Sequence, residues 1–382
     1  MCLSYLFLSY VSWGGTNFNA SQFLTELALR FFLAAFISSL ILAHSATAQT
    51  SLPISFDESR NVFTMAPIIA KVTPGVVSIS TVESEQDDGS IVNGIGSGVI
   101  IDANAGLVLT NDHVIKTAQS ITVILSDKRR YPAKVLGQDP DTDLALLKIP
   151  NENLTALKTS PSDEVLVGDI VIAVGNPFGL SHSVSTGIIA AIGRTDQNPL
   201  GYSDLLQTDA SINPGNSGGA LVNSAGKLIG INSAIAGQDS GSSGIGFAIP
   251  AHTFRAVAAQ LQVYGEVKRG SLGINIAAVT QDIQSRLNLP NLNGAHIIDV
   301  TPNGVGSIAG LQLDDVITHF RGREIRNSSD LRYAVGLLRP DTLAKLTYIR
   351  EGVSSEIDVI TRAEDYVRPP NPGDTLETSL PN

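Results

Sequence analysis

Short apolar runs, separated by Gly, Asn, Asp and Pro, dominate the chain from about residue 67 to residue 250. Runs of this length, bounded by turn residues, are typical of β-strands. The clearest are GVVSIS (75–80), GSGVIID (96–102), SITVILSD (120–127), TDLALLKI (142–149), DIVIAVGNP (169–177), VSTGIIAAIG (184–193) and GALVNSAGKLIGINSA (219–234). In the last run, residues 223–226 separate two β-rich halves, which predicts a hairpin. Many short strands at this spacing predict β-barrels, and the stretch is long enough for two of them.

A helix and a second, smaller unit follow the β-rich stretch. Apolar residues recur at helical spacing from residue 254 to residue 261, and Gly265 stands where this helix would end. Beyond it, a helix is predicted after Ser328 and before Pro340. Strand patterns in this unit lie near residues 271–279, 295–300, 315–320 and 343–350.

The pattern divides the chain into five segments. They are a signal peptide or N-terminal membrane anchor (1–48), a polar lead-in without pattern (49–66), a β-barrel domain (67–265), a small α+β domain (266–362) and a disordered tail (363–382).

Composition narrows the functional classes. The 382 residues include 25 Lys and Arg against 36 Asp and Glu, which gives a net charge of −11. Because no basic stripe is present, nucleic acid is not an expected partner. The single cysteine, Cys2, lies at the extreme N-terminus and leaves no disulfide or cysteine-based metal site in the rest of the chain. No other metal-binding spacing occurs, so we expect neither a metal nor a cofactor.

The N-terminal apolar run indicates export. FFLAAFISSLILA (31–43) follows Arg30, and Ala46-Thr47-Ala48 has the small-x-small form of a cleavage site. The run is shorter than the roughly 20 residues that span a bilayer. We therefore expect an exported protein released by cleavage, with a retained membrane anchor as the alternative.

The stretch NPGNSGGAL (213–221) points to nucleophilic catalysis. Ser217 stands among three glycines, and a serine hydroxyl becomes an effective nucleophile when a neighbouring base removes its proton. Gly215 allows a turn in which two backbone N–H groups point at a developing oxyanion. A glycine-rich turn with a surface serine is the alternative interpretation.

Two upstream residues complete a candidate triad with Ser217. His113 lies in VLTNDHVI, at the end of an apolar strand where a turn would present it in a cleft. Asp143, in DPDTDLALLKI, directly precedes an apolar strand and so lies at the edge of the core. A buried aspartate in this role fixes the histidine tautomer and stabilises the imidazolium. A further motif, GIGSG (94–98), lacks the βαβ context of a dinucleotide site, and we assign it to a strand turn.

The catalytic segments resemble those of a known family. TNDHVI, DTDLALLKI and QTDASINPGNSGGALVNSAGKLIGIN are similar to the His, Asp and Ser segments of the HtrA (Deg) serine proteases, and GIGFAIP (244–250) resembles the segment that closes their second barrel. The resemblance covers roughly residues 67–362. It implies a mainly β, chymotrypsin-like fold of two six-stranded barrels, with the triad His113, Asp143 and Ser217 in the cleft between them.

The resemblance also implies the surroundings of the triad. The oxyanion hole would consist of Gly215, Asn216 and Ser217. A pocket for small aliphatic residues before the scissile bond would be formed by Ile231, Asn232, Ser233 and Ala234. The protease domains of the family form trimers, so a homotrimer is implied for this chain.

The smaller unit resembles one PDZ domain. RGSLGIN (269–275) is similar to the loop whose backbone amides capture a peptide C-terminus, together with the strand that follows it. The residues implied for peptide binding are Ser271, Leu272, Gly273, Ile274, Leu331 and Val335.

Together, these features lead to one functional hypothesis and one alternative. The hypothesis is an ATP-independent serine endopeptidase that cleaves unfolded or misassembled exported proteins in the envelope stress response. Its PDZ domain would bind exposed C-termini and regulate the activity. The alternative is a peptide-sensing or holdase-type binding protein whose protease activity is mostly latent. In its single PDZ domain and its short loop ESEQDDGSIVNG (83–94), the chain resembles the sensor-like members of the family more than the general degraders.

Overall fold

The computed structural model describes residues 55–85, 91–160, 164–177, 182–194, 204–213, 215–233 and 244–363. The apolar run 31–43, its cleavage site and the tail beyond residue 363 lie outside the described residues. Among the described residues, no helix is both long enough and apolar enough to cross a lipid bilayer.

The lead-in, expected to lack pattern, contains a small hairpin. Strands β1 (Ser55–Asp57) and β2 (Val62–Thr64) pair antiparallel, and helix α1 (Ala66–Val72) follows them. The rings of Phe56 and Phe63 meet edge to face, with centroids 5.1 Å apart. This aromatic pair across two short strands is the cross-strand contact that stabilises such a hairpin.

Seven strands form the first barrel in the order β7-β6-β3-β4-β5-β9-β8. Their bounds are β3 Val76–Glu85, β4 Ile91–Asp102, β5 Leu107–Thr110, β6 Ser120–Ile124, β7 Arg130–Pro132, β8 Lys134–Asp139 and β9 Leu144–Lys148. A one-turn helix, α2 (Asp112–Ile115), follows β5. Buried Val, Ile and Leu side chains fill the interior of this barrel.

The strand count differs from the expected six because one run bends. Strands β7 and β8 are separated only by Ala133; β7 pairs with β6, and β8 pairs with β9 at the other end of the sheet. Pro132 lacks an N–H donor, which favours a break in the ladder at that point. The continuous run 130–139 therefore joins the two ends of the sheet, and six runs of chain close the barrel.

The second barrel is closed by six strands in the order β10-β11-β12-β15-β14-β13. Their bounds are β10 Ile170–Gly175, β11 Ser183–Arg194, β12 Leu205–Thr208, β13 Ala220–Asn223, β14 Leu228–Ser233 and β15 Gly246–Pro250. The predicted hairpin joins β13 to β14: the Asn223 N–H donates to the Lys227 carbonyl at 3.0 Å, and Gly226 takes a φ of 71°.

Helix α3 (Ala251–Tyr264) packs on the apolar cluster shared by both barrels. Phe254, Val257 and Leu261 are buried in this cluster, as the spacing predicts. Gly265 ends the helix with a φ of 75°, which glycine adopts at little cost. The helix thus connects the double barrel to the C-terminal unit.

The C-terminal unit is a mixed α+β domain. Its main sheet has the order β17-β18-β19-β21-β22, with bounds β17 Ile274–Ala278, β18 Ala295–Val300, β19 Val316–Phe320, β21 Leu343–Arg350 and β22 Val353–Ile360. The helices are α4 Gln281–Leu287, α5 Val305–Ala309 and α6 Ser328–Gly336. Short strands β16 (Gly270–Ser271) and β23 (Arg362–Ala363) pair with each other, and β20 (Arg323–Glu324) pairs with β19. The domain has an apolar core of its own.

Candidate active site

His113 and Asp143 form a direct contact at the rim of the first barrel. His113 lies on α2, directly after β5, and Asp143 lies in the turn before β9, the strand that pairs with β5. The His113 Nδ1 atom is 2.9 Å from each carboxylate oxygen of Asp143. This contact orients the ring and leaves Nε2 as the nitrogen available to take a proton.

Three further hydrogen bonds fix Asp143. The His113 backbone N–H donates to Asp143 Oδ1 at 3.0 Å, and Ser233 Oγ donates to Oδ2 at 2.9 Å. The side-chain amide of Asn111 donates to the Asp143 carbonyl at 2.9 Å. Asp143 has a φ of 56°, a conformation that a non-glycine residue keeps only when its surroundings hold it there. The carboxylate is therefore held in one position.

Opposing effects set the protonation of His113. Burial by itself would lower the pKa of His113, but the hydrogen bond and charge of Asp143, with the charge of Asp112, outweigh burial and raise that pKa. The pKa of Asp112 is itself raised, first by burial and then by the nearby charge of Asp143. Two carboxylates thus act on the imidazole, one by direct contact and one through its charge.

The segment that carries Ser217 forms a tight turn before β13. The Asn216 N–H donates to the Asn213 carbonyl at 2.9 Å, and Gly215 has a φ of 96°. Asn216 and Ser217 are both buried, and the Gly219 N–H donates to the Asn216 carbonyl at 2.9 Å. Of the three residues predicted to form the oxyanion hole, Gly215 and Asn216 lie in this turn and Ser217 directly follows it.

The Ser217 segment packs against the segment that carries His113. A Cβ at Gly218 would overlap the Thr110 hydroxyl and the Ser97 carbonyl oxygen, and would lie 3.2 Å from the Asn111 backbone nitrogen. Thr110 and Asn111 directly precede the helix of His113. The Ser217 carbonyl accepts a hydrogen bond of 2.9 Å from the Ser97 N–H. The structure thus brings the Ser217 segment of the second barrel onto the His113 segment of the first.

Strand β14 carries three of the residues predicted to form the substrate pocket. Ile231 is fully buried in the apolar cluster between the barrels. The backbone of Asn232 forms hydrogen bonds with the two residues that follow Ser217. Its carbonyl accepts from the Gly218 N–H, and its N–H donates to the Gly219 carbonyl, both at 2.9 Å. Ser233 contacts Asp143, as described above, and Ala234 lies outside the described residues.

The predicted peptide-binding residues of the C-terminal domain lie together. Leu272, Leu331 and Val335 are buried in one apolar cluster, and Ile274 packs against it. Gly273 has a φ of 60°, and its N–H donates to Ser271 Oγ at 3.1 Å. A cavity of about 410 Å³ adjoins this loop and is lined by Ser271, Gly273, Thr301, Asn303, Gly304, Val305, Ile308, Arg362 and Ala363.

Among the described residues, ion pairs of Arg269 and of Arg326 connect the C-terminal domain to the barrels. Arg269 contacts both carboxylate oxygens of Asp139, at 3.0 and 2.8 Å. Arg326 contacts Asp204, just before β12, at 2.9 Å. Burial alone would raise the pKa of Asp204, but the hydrogen bond of His252 and the charges of neighbouring arginines lower it overall. Asp204 is therefore a buried carboxylate stabilised by groups from both domains.

Sequence reasoning missed two functional contacts. Ser233 is predicted to line a substrate pocket, and its hydroxyl also donates to Asp143, a contact that the sequence pattern does not indicate. Ser97 was assigned to a strand turn, but the GIGSG motif lies inside the continuous strand β4. The partners of Ser97 are at least 79 residues away along the chain, apart from Thr110, so no local pattern could reveal them. Among the described residues, no group of three or more His, Cys, Asp or Glu side chains is arranged to hold a metal ion.

Comparison with known proteins identifies the two domains. Residues 96–231 match the trypsin-like peptidase domain, and residues 270–361 match the PDZ domain. The chain is 40% identical to the periplasmic pH-dependent serine endoprotease DegQ of Escherichia coli (strain K12) over 360 residues, which cover 89% of this chain and 77% of DegQ. It is 45% identical to the periplasmic serine endoprotease DegP of Salmonella typhimurium over 266 residues, which cover 69% of this chain and 56% of DegP.

A solved structure has the same architecture. The HtrA-type protease AlgW with a tripeptide superposes with a TM-score of 0.65 at 37% identity, over 79% of this chain and 98% of AlgW. The match extends over both domains in the order found here. The chain belongs to the HtrA (Deg) family of serine proteases, with a trypsin-like peptidase domain followed by a PDZ domain.

Proposed function

We propose that this protein is an ATP-independent serine endopeptidase that cleaves unfolded or misassembled exported proteins in the periplasm, as part of the envelope stress response. The observation that carries the proposal is the contact of His113 Nδ1 with Asp143, on the barrel segment against which the Ser217 turn packs. The names of the relatives, periplasmic serine endoproteases, support the same activity and location.

In this mechanism Ser217 Oγ attacks the substrate carbonyl while His113 Nε2 takes its proton. The backbone N–H groups of Gly215 and Ser217, with Asn216 between them, stabilise the oxyanion of the tetrahedral intermediate. His113 then donates the proton to the leaving amine, and Asp143 stabilises the imidazolium throughout. The raised pKa of His113 is consistent with a base that Asp143 stabilises in its charged form.

The substrate would bind beside β14. Ile231, Asn232, Ser233 and Ala234 remain our proposal for a pocket that accepts small aliphatic residues before the scissile bond. The backbone of Asn232 supports this placement, because it forms hydrogen bonds with Gly218 and Gly219, the two residues that follow Ser217.

The PDZ domain would bind exposed C-termini of misassembled proteins. Ser271, Leu272, Gly273 and Ile274 form the loop that would meet the terminal carboxylate, and Leu331 and Val335 would contact the apolar side chains of the peptide. Their shared apolar cluster supports this assignment. The AlgW structure with a tripeptide shows that a relative binds short peptides.

We propose that peptide binding to the PDZ domain regulates the protease domain through the ion pairs between them. Arg326 begins the segment leading into α6, the helix that carries Leu331 and Val335, and contacts Asp204 beside β12. An effector changes activity when it shifts the balance between two arrangements of such contacts. Arg326→Ala should therefore reduce the fold-change in casein hydrolysis that a C-terminal peptide produces, bringing it toward one.

Arg286→Ala is the matched control for this test. Arg286 pairs with Asp314 through two hydrogen bonds, 3.0 and 2.9 Å, inside the PDZ domain. This variant should keep the wild-type response to peptide. An unchanged response in Arg326→Ala would contradict regulation through this ion pair.

Assembly and maturation complete the proposal. We propose a homotrimer, with the protease domain at residues 67–265, the PDZ domain at 266–362 and residues 1–48 as a signal peptide. The alternative is an inner-membrane anchor formed by residues 31–43. Sequencing the N-terminus of the exported protein separates the two, because cleavage after Ala48 would leave Gln49 as the first residue.

Replacing the nucleophile tests the catalytic proposal. Ser217→Ala should lower kcat for casein hydrolysis by about 10⁶-fold, because the attacking oxygen is lost while the fold remains. Thermal unfolding of both proteins checks that the fold is intact. Equal hydrolysis by both proteins would contradict the mechanism. Casein binding without hydrolysis by the wild type, with or without added C-terminal peptide, would instead support a holdase-type binding protein.

A further inference from the structure

Ser97, in strand β4 of the first barrel, uses all its polar groups in hydrogen bonds around the active site. The residue is fully buried. Its N–H donates to the Ser217 carbonyl at 2.9 Å, and its hydroxyl donates to the Gly215 carbonyl at 2.5 Å. The same hydroxyl accepts from the Asn176 N–H at 2.7 Å, and the Ser97 carbonyl accepts from Thr110 Oγ1 at 2.8 Å.

Most of these partners belong to the other barrel. Asn176 follows β10, and Gly215 and Ser217 lie in the nucleophile turn before β13. Thr110, by contrast, ends β5, three residues before His113. Ser97 therefore connects the turn of the nucleophile to the strand that leads to the base, across the seam between the barrels.

The hydroxyl acts on the part of the turn that forms the oxyanion hole. It holds the Gly215 carbonyl, and so the peptide group between Gly215 and Asn216, in one orientation. The Ser97 N–H fixes the Ser217 carbonyl, which belongs to the peptide group between Ser217 and Gly218. The peptide group between Asn216 and Ser217, whose N–H is one of the proposed oxyanion donors, lies between these two fixed carbonyls, and the Gly215 N–H directly precedes them.

Tight packing makes this position sensitive. A Cβ at Gly175 would overlap the side chain of Asn216, and a Cβ at Gly218 would overlap the Ser97 carbonyl oxygen. Losing the Ser97 hydroxyl would also leave the Asn176 N–H and the Gly215 carbonyl without this partner in a buried place. The Asn176 N–H and the Gly215 carbonyl would then shift toward other hydrogen-bond partners, because a buried polar group without a partner is unfavourable.

We propose that Ser97 is a positioning residue for catalysis, whose hydroxyl sets the oxyanion turn and Ser217 against the barrel that carries His113. The inference rests on the triad proposed above and adds a fourth side chain to its support. Ser97 touches neither the substrate nor the reacting atoms, so its effect reaches the reaction through the placement of Gly215 and Ser217.

The test measures hydrolysis of a quenched peptide substrate by Ser97→Ala in the full-length chain. Displacing catalytic groups by about 1 Å costs up to about 10²-fold in rate. We expect kcat to fall about 10- to 10²-fold while KM changes less than about threefold, since the defect lies in stabilising the transition state. Affinity for a peptide boronic acid, whose adduct with Ser217 imitates the tetrahedral intermediate, should fall by a similar factor.

Two further variants separate positioning from folding. Ser97→Thr keeps the hydroxyl on a strand that favours β-branched residues, and should recover at least tenfold of the lost kcat. Ser78 lies directly opposite Ser97 on β3 and is equally buried, at 1% exposure. Ser78→Ala is therefore a matched loss of a hydroxyl and should keep wild-type kcat, whatever its melting temperature.

The inference would be overturned if Ser97→Ala kept the wild-type kcat, changed only KM, or bound the boronic acid with unchanged affinity. Equal losses of kcat in Ser97→Ala, Ser97→Thr and Ser78→Ala would also overturn it. The wild-type rate, compared with Ser217→Ala, tests the proposed function separately. Boronic acid binding requires no turnover, so it reports on the oxyanion turn even if the wild type hydrolyses slowly.

Discussion

His113 and Asp143 lie on one barrel and touch each other directly, whereas Ser217 lies on the other barrel in a turn held by backbone hydrogen bonds. The first half of the site is built by paired side chains on neighbouring segments, α2 and the turn before β9. The second half is built by backbone geometry, with positive φ angles at Gly215 and Gly218. The histidine–aspartate half is thus fixed mainly by contacts within the first barrel, with one further hydrogen bond from Ser233 of the second barrel, whereas the support of the serine half comes largely from contacts across the seam.

This difference explains where regulation would act. A pair of side chains fixed by four hydrogen bonds has little freedom to rearrange. A glycine turn can change its peptide orientation when the contacts around it change. The ion pair of Arg326 with Asp204 contacts the second barrel, which carries the turn, so a signal from the PDZ domain would reach the adjustable half of the site.

Among variants that keep Ser217, the largest expected effect comes from breaking the histidine–aspartate half. Asp143→Asn should lower kcat by about 10⁴-fold, because an amide can hold His113 in the wrong tautomer while keeping the local geometry. Steady-state hydrolysis of a quenched peptide measures the change. Asp127→Asn, an exposed aspartate of the same barrel, is the control and should keep the wild-type rate. A loss below tenfold in Asp143→Asn would remove Asp143 from the triad.

The next effect comes from breaking the serine half. Gly215→Ala should lower kcat by about 10²–10³-fold, the cost of one oxyanion donor. The reasons are the φ of 96° and the overlap of a new Cβ with Pro177. Gly168→Ala is a close control: Gly168 has nearly the same φ, 97°, but a Cβ there would meet no atom within 4 Å.

Both glycine variants should lose about 1–2 kcal/mol of stability through the left-handed backbone; Gly215→Ala should lose more because its Cβ also overlaps Pro177, and only Gly215→Ala should lose activity. Thermal unfolding and steady-state kinetics separate the two effects. Equal activity in both variants would show that the conformation of the turn at Gly215 does not matter for catalysis.

The smallest expected effect is a shift in the pH dependence of activity, which tests the electrostatics of the histidine–aspartate half. His113 works as a base when it is neutral, so its raised pKa places the loss of activity at a higher pH than for an ordinary histidine. Asp112→Asn removes a charge that raises this pKa. The acidic limb of the kcat/KM profile should therefore move to lower pH, while the plateau at high pH stays the same.

Asp127→Asn again serves as the control, since the charge of Asp127 is not among those that act on His113. A shift of the acidic limb to higher pH in Asp112→Asn would contradict the electrostatic role of Asp112. A fall in the plateau itself would show that Asp112 supports the site structurally.

The sequence predicted the strands and the histidine–aspartate pair well, because both depend on local pattern. The run 142–149 predicts β9, the apolar spacing from Phe254 to Leu261 predicts α3, and Asp143, predicted to pair with His113, does contact it. The hydrophobic period fixes which face of each element is buried, and the barrels follow from it. The expected six strands of the first barrel were harder to recognise, because Pro132 breaks one run into β7 and β8.

The support of the serine half could not be predicted in this way. Ser97 and Gly215 are 118 residues apart, and the hydrogen bond between them exists only when the two barrels are assembled. A serine inside a glycine-rich strand has no pattern that distinguishes it from a turn residue. Likewise, the contact of Ser233 with Asp143 spans 90 residues. Long-range polar contacts of this kind depend on tertiary structure and not on local spacing.

One measurement tests the joint action of the two halves most directly. The full-length protein is treated with a fluorophosphonate, and peptide mass spectrometry identifies the labelled residue and measures the rate of labelling. The account predicts a single label on Ser217, with the rate reduced by at least about 10²-fold in His113→Ala. Labelling of Ser217 at the same rate in both proteins, or no labelling of Ser217 even with added C-terminal peptide, would contradict it.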